Sequence, residues 1–357
     1  MKKILITGAG GPAGVNFLKS LKLANQKRGL YGTDINKYHL QFANPWTEKM
    51  FLVPRADSND YIPSINRIIN EYDIDLIHPQ PDVEVSVISE NREKIDTITF
   101  LPKKETVRCC QDKYLSSNIW KENMFPSVRA LEIRSDHLES DIEKSFNELG
   151  EKLWIRAKKG AGGTGSTPVE NIETGVNWIK YWKSRGKKWE FIAQEYLPGR
   201  NIAFQSIFNN GELVCSQARE RIEYIYPYLA PSGITGTPIV AKTIHDDKVN
   251  EMATQAILAI DSTATGIFCV DMKEDKSGLI CPTEINAGRF FTTSYFFSYA
   301  GKKYGIPLAN MPNILTKLAF NEKIPEGPKY NILPKSLYWI RHIDCSEHLV
   351  EEINLNQ

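Results

Sequence analysis

The sequence predicts an α/β protein that becomes α+β in its C-terminal part. Strand-like and helix-like segments alternate over residues 1–100, and this order favours a parallel sheet with helices on both faces. From about residue 153, strand-like segments follow one another, with an Asn-Asn-Gly turn signal in one of them. Such a signal is typical of an antiparallel hairpin.

The alternating segments of residues 1–100 are assigned from their hydrophobic patterns. The predicted strands are KILITGAG, LYGTDI, DLIHPQ and ITFLP. The predicted helices are VNFLKSLKLA, YIPSINRIINEY and VSVISENREKI. The region is somewhat short for a complete six-stranded dinucleotide-binding domain.

The remaining segments follow after a boundary near residue 106. Residues 105–150 are predicted to be helical and charged, and a further helix spans about 246–260. The predicted strands are KLWIRAKK, EFIAQEYL, NIAFQSIFNNGELVCSQA, GIFCVDMKE, LICPTEIN and SLYWIRHID, and NIETGVNWIKYWKSR is an amphipathic helix.

The composition excludes several classes of protein. The chain has 357 residues, 41% of them hydrophobic, and a formal charge of +1, so nucleic acid is not expected as the main partner. No apolar run approaches the ~18 residues of a membrane span, and the segment after the initial MKK is too short for a signal peptide. The six cysteines lack C-x-x-C spacing, so we expect neither a disulfide framework nor zinc. These features predict a reduced cytoplasmic enzyme that binds no membrane.

A glycine-rich turn follows the first predicted strand. It fits T-G-x-x-G-x-x-G with Gly8, Gly11 and Gly14, and Asp34 ends the second strand. In a dinucleotide-binding fold an acid at this place binds ribose. Taken alone, the turn favours an NAD(P)-dependent reductase or epimerase. The Tyr-x-x-x-Lys pattern expected of such enzymes occurs only at 299–303, far too late in the chain.

Three oxygen-bearing side chains are predicted to meet on one hairpin. If a two-residue turn centres on Ser277–Gly278, Asp271 lies opposite Glu284, with Cβ atoms about 5 Å apart. Asn286 shares their face because side chains alternate along a strand. Oxygen ligands suit Mg²⁺ shared with substrate phosphates. A solvated face of an edge hairpin is the alternative.

Two further segments carry nucleotide-like features. In WIRAKKGAGGTGS, 154–166, glycines free the backbone to fold over an anion, and Arg156 lies among the basic residues beside them. The segment is not a Walker A loop, and a surface turn is the alternative. In FIAQEYLPGRN, 191–201, a strand ends in an acid and a turn. Such a segment can offer backbone groups to an adenine edge, or be a simple strand end.

In this order, the three elements resemble the ATP-grasp superfamily, nearest the carbamoyl-phosphate synthase large subunit and the stand-alone carboxylate–amine ligases. The likeness covers nearly the whole chain. It implies a Rossmann-like pre-ATP-grasp domain at 1–106, whose glycine turn need not bind a dinucleotide. It also implies a two-subdomain ATP-grasp fold: a small subdomain with the glycine loop at 107–188, and a C-terminal subdomain with the Mg²⁺ site at 189–357.

The resemblance also implies roles for the matching residues. The nucleotide-binding residues it implies are Lys113, Arg156, Gly162, Gly163, Gly165, Ser166, Gln194, Glu195, Tyr196, Leu197 and Asn201. Among these, Lys113 touches phosphate and Glu195 accepts from the adenine amino group. Asp271, Glu284 and Asn286 are the implied metal ligands, and Arg289 and Arg156 the implied catalytic residues. The loop SGITG, 232–236, is expected beside the nucleotide.

Two departures from the family pattern stand out. The acid that often binds ribose is replaced by Asn201 and Ile202. The common Asn-Pro-Arg is one residue longer here, running from Asn286 to Arg289.

The expected activity is therefore that of an ATP- and Mg²⁺-dependent carboxylate–amine ligase that forms an acyl phosphate, with Mn²⁺ as an alternative metal. Its partners would be a small-molecule carboxylate and an amine, amino acids among them, and a homodimer is compatible with the resemblance. The alternatives are a carbamoyl-phosphate-synthase-like enzyme that phosphorylates bicarbonate or carbamate, the NAD(P)-dependent enzyme, and a catalytically silent nucleotide sensor. The presence of Asp271, Glu284 and Asn286 favours catalysis over the sensor.

Four further residues are weaker substrate candidates. Gln80 and Asp82 follow a strand with His78, where parallel sheets place ligands; loop capping is the alternative. His78 is the histidine closest to this role. Arg219 and Arg221 could pair with a substrate carboxylate, or line a solvated strand face.

Overall fold

The described part of the chain forms three sheets that follow one another along the sequence. The computed structural model describes residues 1–160, 163–342 and 348–350, the last range as backbone only. The first sheet is parallel and the other two are antiparallel. This arrangement confirms the predicted change from α/β to α+β.

The parallel sheet has the strand order β3-β2-β1-β4-β5. Its strands are β1 (Lys2–Thr7), β2 (Arg28–Asp34), β3 (Lys49–Leu52), β4 (Leu76–Pro79) and β5 (Ile98–Thr99). Its helices are α1 (Pro12–Leu23), α2 (His39–Ala43), α3 (Tyr61–Tyr72) and α4 (Asp82–Glu90). The edge strand β3 was not predicted, because it is short and half exposed. The carboxyl end of β4 points toward the site described below.

Two helices connect the parallel sheet to the next one, α5 (Lys104–Gln111) and α6 (Lys113–Glu122). Asp112 lies between them and caps α6, because its carboxylate accepts hydrogen bonds from the backbone N–H groups of Tyr114 and Leu115, each at 3.1 Å. The cap fixes Lys113 at the first position of α6.

The small antiparallel sheet has the order β6-β9-β7-β8. Its strands are β6 (Ala130–Ile133), β7 (Leu153–Ala157), β8 (Thr167–Val169) and β9 (Phe191–Glu195). Helices α7 (Leu138–Leu149) and α8 (Ile172–Ser184) share its core. The change to the next sheet falls between Glu195 and Asn201, so β9 pairs here although it follows the boundary expected at residue 188.

The large antiparallel sheet has the order β14-β13-β10-β11-β12-β15-β16. Its strands are β10 (Asn201–Asn209), β11 (Glu212–Tyr224), β12 (Pro238–Ile244), β13 (Gly266–Glu274), β14 (Ile280–Ala287), β15 (Tyr338–Ile340) and β16 (His348–Val350). Its helices are α9 (Asp247–Ile260), α10 (Ser294–Tyr304) and α11 (Met311–Ala319). The predicted Asn-Asn-Gly turn joins β10 to β11, with positive φ at Asn210 and Gly211.

The two faces of the large sheet bury different cores. One face, with Phe204 and Phe268, packs with α9. The other, with Ala203 and Cys269, shares a core with α1, α10 and α11. Two residues beyond Cys269 on this second face lies Asp271, so the candidate site continues a buried face of the sheet.

The hairpin of β13 and β14 has the predicted pairing but not the predicted turn. A five-residue loop, 275–279, replaces the two-residue turn. The register of Glu274 with Ile280 shifts by one residue next to Asp271, because β14 carries one extra residue, Thr283, between the partners of Met272 and Asp271. The bulge restores the pairing of Asp271 with Glu284.

Candidate functional site

A cavity of about 660 Å³ lies where the three sheets meet. It collects most of the residues singled out from the sequence. The predicted residues that line it are Gln80, Asp82, Arg156, Gly163, Ser166, Gln194, Glu195, Tyr196, Leu197, Asn201, Arg221, Asp271, Glu284, Asn286 and Arg289. Its volume is in the usual range for small-molecule sites, ~300–1,000 Å³.

Asp271, Glu284 and Asn286 come together on one face of the large sheet. Asp271 pairs with Glu284 across β13 and β14, and the Asn286 amide donates to Asp271 Oδ2 at 3.4 Å. All the donors are oxygens or an amide, which fits Mg²⁺ or Mn²⁺. The described residues contain no cluster of three His, Cys, Asp or Glu side chains placed to hold a metal. A metal ion at this hairpin would therefore need further coordinating oxygens from a bound small molecule.

Glu284 is held by two cations from other parts of the chain. Arg156 Nη2 donates to Glu284 Oε2 at 2.6 Å, and Lys113 Nζ lies 3.4 Å from the same oxygen. Burial alone would raise the pKa of Glu284, but Arg156 and Lys113 outweigh it and hold that pKa well below its usual value. Glu284 is therefore ionised, and two buried cations converge on it.

Asp271 has a different partner and a different electrostatic environment. Arg221 donates to Asp271 Oδ1. Burial raises the pKa of Asp271 to about 6, with Arg221 opposing the shift and Glu284 adding to it. A divalent cation placed between the two carboxylates would remove this repulsion.

Lys113 is buried behind the cavity wall rather than in its lining. Its Nζ also donates to the carbonyl of Gly160 at 2.7 Å, which ties the start of the glycine loop to α6. Burial lowers the pKa of Lys113, and Glu284 partly restores it.

Arg289 reaches the site because of the extra residue that separates it from Asn286. Gly288 has φ +84°, a left-handed conformation that favours glycine, and a Cβ there would lie 2.7 Å from Val85. After this bend Arg289 donates to both the Asn286 amide oxygen and the Asp82 carboxylate. The longer motif therefore brings Arg289 to the metal-ligand candidates, and Asp82 is its counter-ion.

The residues expected to form an adenine hinge end β9. Glu195 has its carboxylate engaged with Arg129, whose backbone N and Nε donate to it at 2.8 and 2.9 Å. Gln194 is buried, and its Nε2 has no hydrogen-bond partner among the described residues. An unpartnered buried amide in a cavity wall is a position where a ligand acceptor would fit.

The glycine loop closes over the same cavity. Gly163 and Gly165 have φ +70° and +78°, and the Trp178 indole donates to the Gly165 carbonyl at 3.0 Å. A Cβ at Gly163 would lie 2.8 Å from the Ile234 carbonyl, so the loop touches the predicted loop 232–236. Gly162 lies outside the described residues.

The weaker substrate candidates lie at two places. Gln80 accepts from the backbone N of Phe290 at 3.3 Å, while its Nε2 has no partner among the described residues. Arg219 is fully buried outside the cavity lining, against Phe291 and Phe297. His78 is not at the site: it stacks on Phe17 at 4.6 Å, and burial lowers its pKa to about 3.

The N-terminal glycine turn is filled by the chain itself. Asp34 accepts from the backbone N–H groups of Gly10 at 3.1 Å and Asn36 at 2.9 Å. A Cβ at Gly10 would clash with the His39 carbonyl, and one at Gly8 with the Pro81 ring. The glycines thus allow His39 and Pro81 to pack against the turn, and both oxygens of the Asp34 carboxylate accept backbone hydrogen bonds.

Sequence reasoning missed several lining residues. Lys273 lines the cavity, its Nζ lies 5.9 Å from the Trp154 ring centre, and burial lowers its pKa. Its place two residues after Asp271 on one strand was a usable signal. Arg129, which contacts Glu195 but does not line the cavity, gave no signal in the sequence, because the two residues are 66 positions apart.

Two general expectations bear on the cysteines and on membranes. The five described cysteines, Cys109, Cys110, Cys215, Cys269 and Cys281, are buried and free, as expected for core residues. Cys345 lies outside the described residues. Within the described chain, no helix combines the length and apolarity that crossing a bilayer requires.

Known structures resemble 95% of the chain, although no family model and no curated protein matches it. The biotin carboxylase domain dimer of Hydrogenobacter thermophilus 2-oxoglutarate carboxylase, in complex with MgADP, ADP and bicarbonate, has a TM-score of 0.71 at 14% identity, over 95% of this chain and 73% of that one. N5-carboxyaminoimidazole synthetase from Staphylococcus aureus, complexed with ADP, has a TM-score of 0.71 at 14% identity, over 95% and 82%.

A third similar structure is the L-amino acid ligase from Bacillus licheniformis, with a TM-score of 0.68 at 13% identity, over 95% of this chain and 79% of that one. Such low identities carry information about the fold and not about the substrate. The chain has the ATP-grasp fold that its motifs predicted.

Proposed function

We propose that the protein is an ATP-dependent carboxylate–amine ligase. The observation that carries this proposal is the convergence of Arg156, in the cavity lining, and Lys113, behind it, on Glu284, beside Asp271 and Asn286. Such a set combines phosphate-binding cations with oxygen ligands for a metal. The similar structures support it, because two of them contain ADP and another is an amino acid ligase.

The nucleotide would lie between the small and large sheets. Gln194 and the residues after it would receive the base, and Arg156, Lys113 and the glycine loop would hold the phosphates. Asp271, Glu284 and Asn286 would hold Mg²⁺, which offsets phosphate charge when bound.

The reaction would proceed in two displacements. A substrate carboxylate oxygen attacks the γ-phosphorus, an O–P bond forms, and the bond to the β-phosphate oxygen breaks to release ADP. The amine nitrogen then attacks the acyl carbon of the acyl phosphate, a C–N bond forms, and phosphate leaves with its oxygen while the amine loses a proton. Arg289, oriented by Asp82 and Asn286, would steady the transferred phosphoryl group. Closure of the glycine loop onto loop 232–236 would keep water from the acyl phosphate.

The first experiment is thermal unfolding with ATP and Mg²⁺, with ATP and EDTA, and with NADH or NADPH. A ligand that binds the folded state raises the melting temperature. We expect stabilisation by Mg-ATP that EDTA abolishes. Stabilisation by NADH or NADPH alone would overturn the proposal.

The second experiment identifies the reaction. ADP release is measured with single amino acids, small carboxylates or bicarbonate, in the presence of hydroxylamine, which converts an acyl phosphate into a hydroxamate. A carboxylate-dependent hydroxamate supports the ligase. ADP release that depends on bicarbonate alone would instead indicate the carbamoyl-phosphate-type reaction.

A further inference from the structure

Two groups of buried cations lie on either side of the metal-ligand candidate Asp271. Lys113 and Arg156 lie at Glu284 on β14, at one end of the cavity. Arg219 and Arg221 lie on β11, whose residues pair through Ala203 and Asn201 with Asp271 and Lys273 on β13. With strands ~4.8 Å apart, the β11 backbone lies about 10 Å from that of Asp271. Lys113 and Arg156 at β14, and the two arginines of β11, therefore lie on opposite sides of Asp271 along the sheet.

Arg219 is a buried cation with no visible counter-ion. It is 1% exposed, and its Nε and Nη1 have no hydrogen-bond partner among the described residues. Its guanidinium stacks on Phe291 and Phe297, 5.0 and 5.4 Å from the ring centres. A charge taken out of water needs a partner of opposite sign, so this position calls for an anion.

Arg221 has a counter-ion, Asp271, which is also a candidate metal ligand. It donates to Asp271 Oδ1, and its Nε has no partner among the described residues. A metal ion and a guanidinium compete for the same carboxylate. A metal that took Asp271 would leave Arg221, which lines the cavity, with the Tyr224 side chain as its remaining hydrogen-bond partner, two residues from Arg219 on the same strand face.

We propose that Arg219 and Arg221 form a subsite for a substrate carboxylate, completed when the metal takes Asp271 from Arg221. This inference rests on the proposed function, because it assigns the anion to the ligase's substrate rather than to the nucleotide. It makes binding cooperative: the metal–nucleotide complex frees the arginines for the carboxylate, and the carboxylate, by linkage, favours the metal.

The metal arm of the test uses Mn²⁺ with ADP, measured by titration calorimetry and by the electron paramagnetic resonance of free Mn²⁺. Arg221→Met removes the competitor, so we expect Mn·ADP to bind about fivefold tighter or more, the lower end of a typical coupling. Arg219→Met is the matched control: it removes the same charge two residues away without touching Asp271. Its gain should be clearly smaller.

If the affinity for Mn·ADP rose equally in the two variants, or did not rise in Arg221→Met, the proposed exchange of Asp271 between Arg221 and the metal would be wrong. Arg221→Lys keeps the charge but loses the planar guanidinium, and it serves if Arg221→Met does not fold. Its affinity for Mn·ADP should exceed those of the native protein and of Arg219→Met. A native protein that fails to bind Mn·ADP at all would overturn the proposed function, which is a different result.

The carboxylate arm uses thermal unfolding with each of the twenty amino acids, acetate and succinate as probes, and with the amino acid amides and acetamide as controls. We expect at least one acid to stabilise the protein with Mn·ADP but not with EDTA, and its amide to fail. Arg219→Met and Arg221→Met should lose the effect. An acid that also yields a hydroxamate with ATP is the phosphorylated substrate, and one that does not is the amine's own carboxylate. Stabilisation by no probe, or stabilisation retained in both variants, would overturn the subsite.

Discussion

Arg156 and Glu284 are 128 positions apart in the sequence and are joined by a hydrogen bond of 2.6 Å. Arg156 belongs to β7 of the small sheet and Glu284 to β14 of the large sheet, so this hydrogen bond joins the two sheets across the cavity. It also holds a phosphate-type cation against a metal-ligand candidate. In the free protein, the arginine proposed to bind nucleotide phosphate is thus paired with the carboxylate proposed to bind the metal.

Replacing Arg156 tests whether this cation is used for nucleotide. For Arg156→Gln we expect kcat/KM for ATP to fall by about 100-fold, the scale of one preorganised electrostatic group. Lys158→Gln is the matched control, because Lys158 lies two residues further on and pairs with Glu132 at 2.8 Å, outside the cavity lining. Steady-state ADP release measures both. Similar losses in the two variants would contradict a specific role for Arg156.

The pairing of Asp271 with Glu284 agrees with the prediction, although the predicted turn was wrong. The bulge next to Asp271 offsets the longer loop 275–279, and a bulge of this kind has no signal in the hydrophobic pattern. Alternation along the strand adds Asn286. The position of Arg289 could not be predicted, because it depends on the left-handed φ of Gly288 and on Asp82, at the start of α4 and 207 positions away.

Four of the five strands of the N-terminal sheet could be predicted from alternating strand and helix patterns, with β3 as the exception. The sequence does not show whether its glycine turn binds a ligand. Whether the turn is open to a ligand depends on His39 and Pro81, which reach it only in the folded chain. The same holds for Glu195, whose partner Arg129 comes from a distant segment.

The Glu195–Arg129 pair is expected to act as a support for the hinge and not as a direct contact to adenine. Glu195→Ala and Arg129→Ala should each raise KM for ATP by a similar few-fold factor. The double variant should lose less binding free energy for ATP than the two single variants together, with a coupling of about 0.5–1 kcal/mol for such a partly exposed pair. A double-mutant cycle of KM values measures it. If Glu195→Ala alone relaxed discrimination between ATP and GTP while Arg129→Ala did not, Glu195 would read the base directly.

Asp34 is expected to matter for stability and not for activity. Its carboxylate accepts two backbone hydrogen bonds in the glycine turn, and Asp34→Asn keeps only one acceptor oxygen. We expect the free energy of unfolding of this region to fall by about 1–3 kcal/mol, seen as a lower urea midpoint, with KM for ATP unchanged. Asp57→Asn, at an exposed position, is the control. A changed KM for ATP, or stabilisation of the native protein by NADH, would show that the turn binds a ligand.

Glu84 should make the stability of the N-terminal domain fall as pH rises. Its side chain is buried on α4, and the Thr7 hydroxyl donates to Oε2. Burial raises the pKa of Glu84 from 4.5 to about 7, and the nearby Asp34 adds to the shift. The folded state therefore binds a proton that the unfolded state releases at lower pH. The stabilising contribution is fully present below about pH 4.5 and is lost as pH rises through about 7.

Glu84→Gln is neutral at every pH and should escape this loss. We expect the variant and the native protein to be close in stability at pH 5, and the variant to be the more stable at pH 8. A shift from 4.5 to about 7 corresponds to at most about 3 kcal/mol. Urea unfolding between pH 5 and 8 measures the difference, with Glu90→Gln at the exposed end of the same helix as control. Parallel pH profiles for Glu84→Gln and the native protein would mean that the carboxyl does not take up a proton on folding.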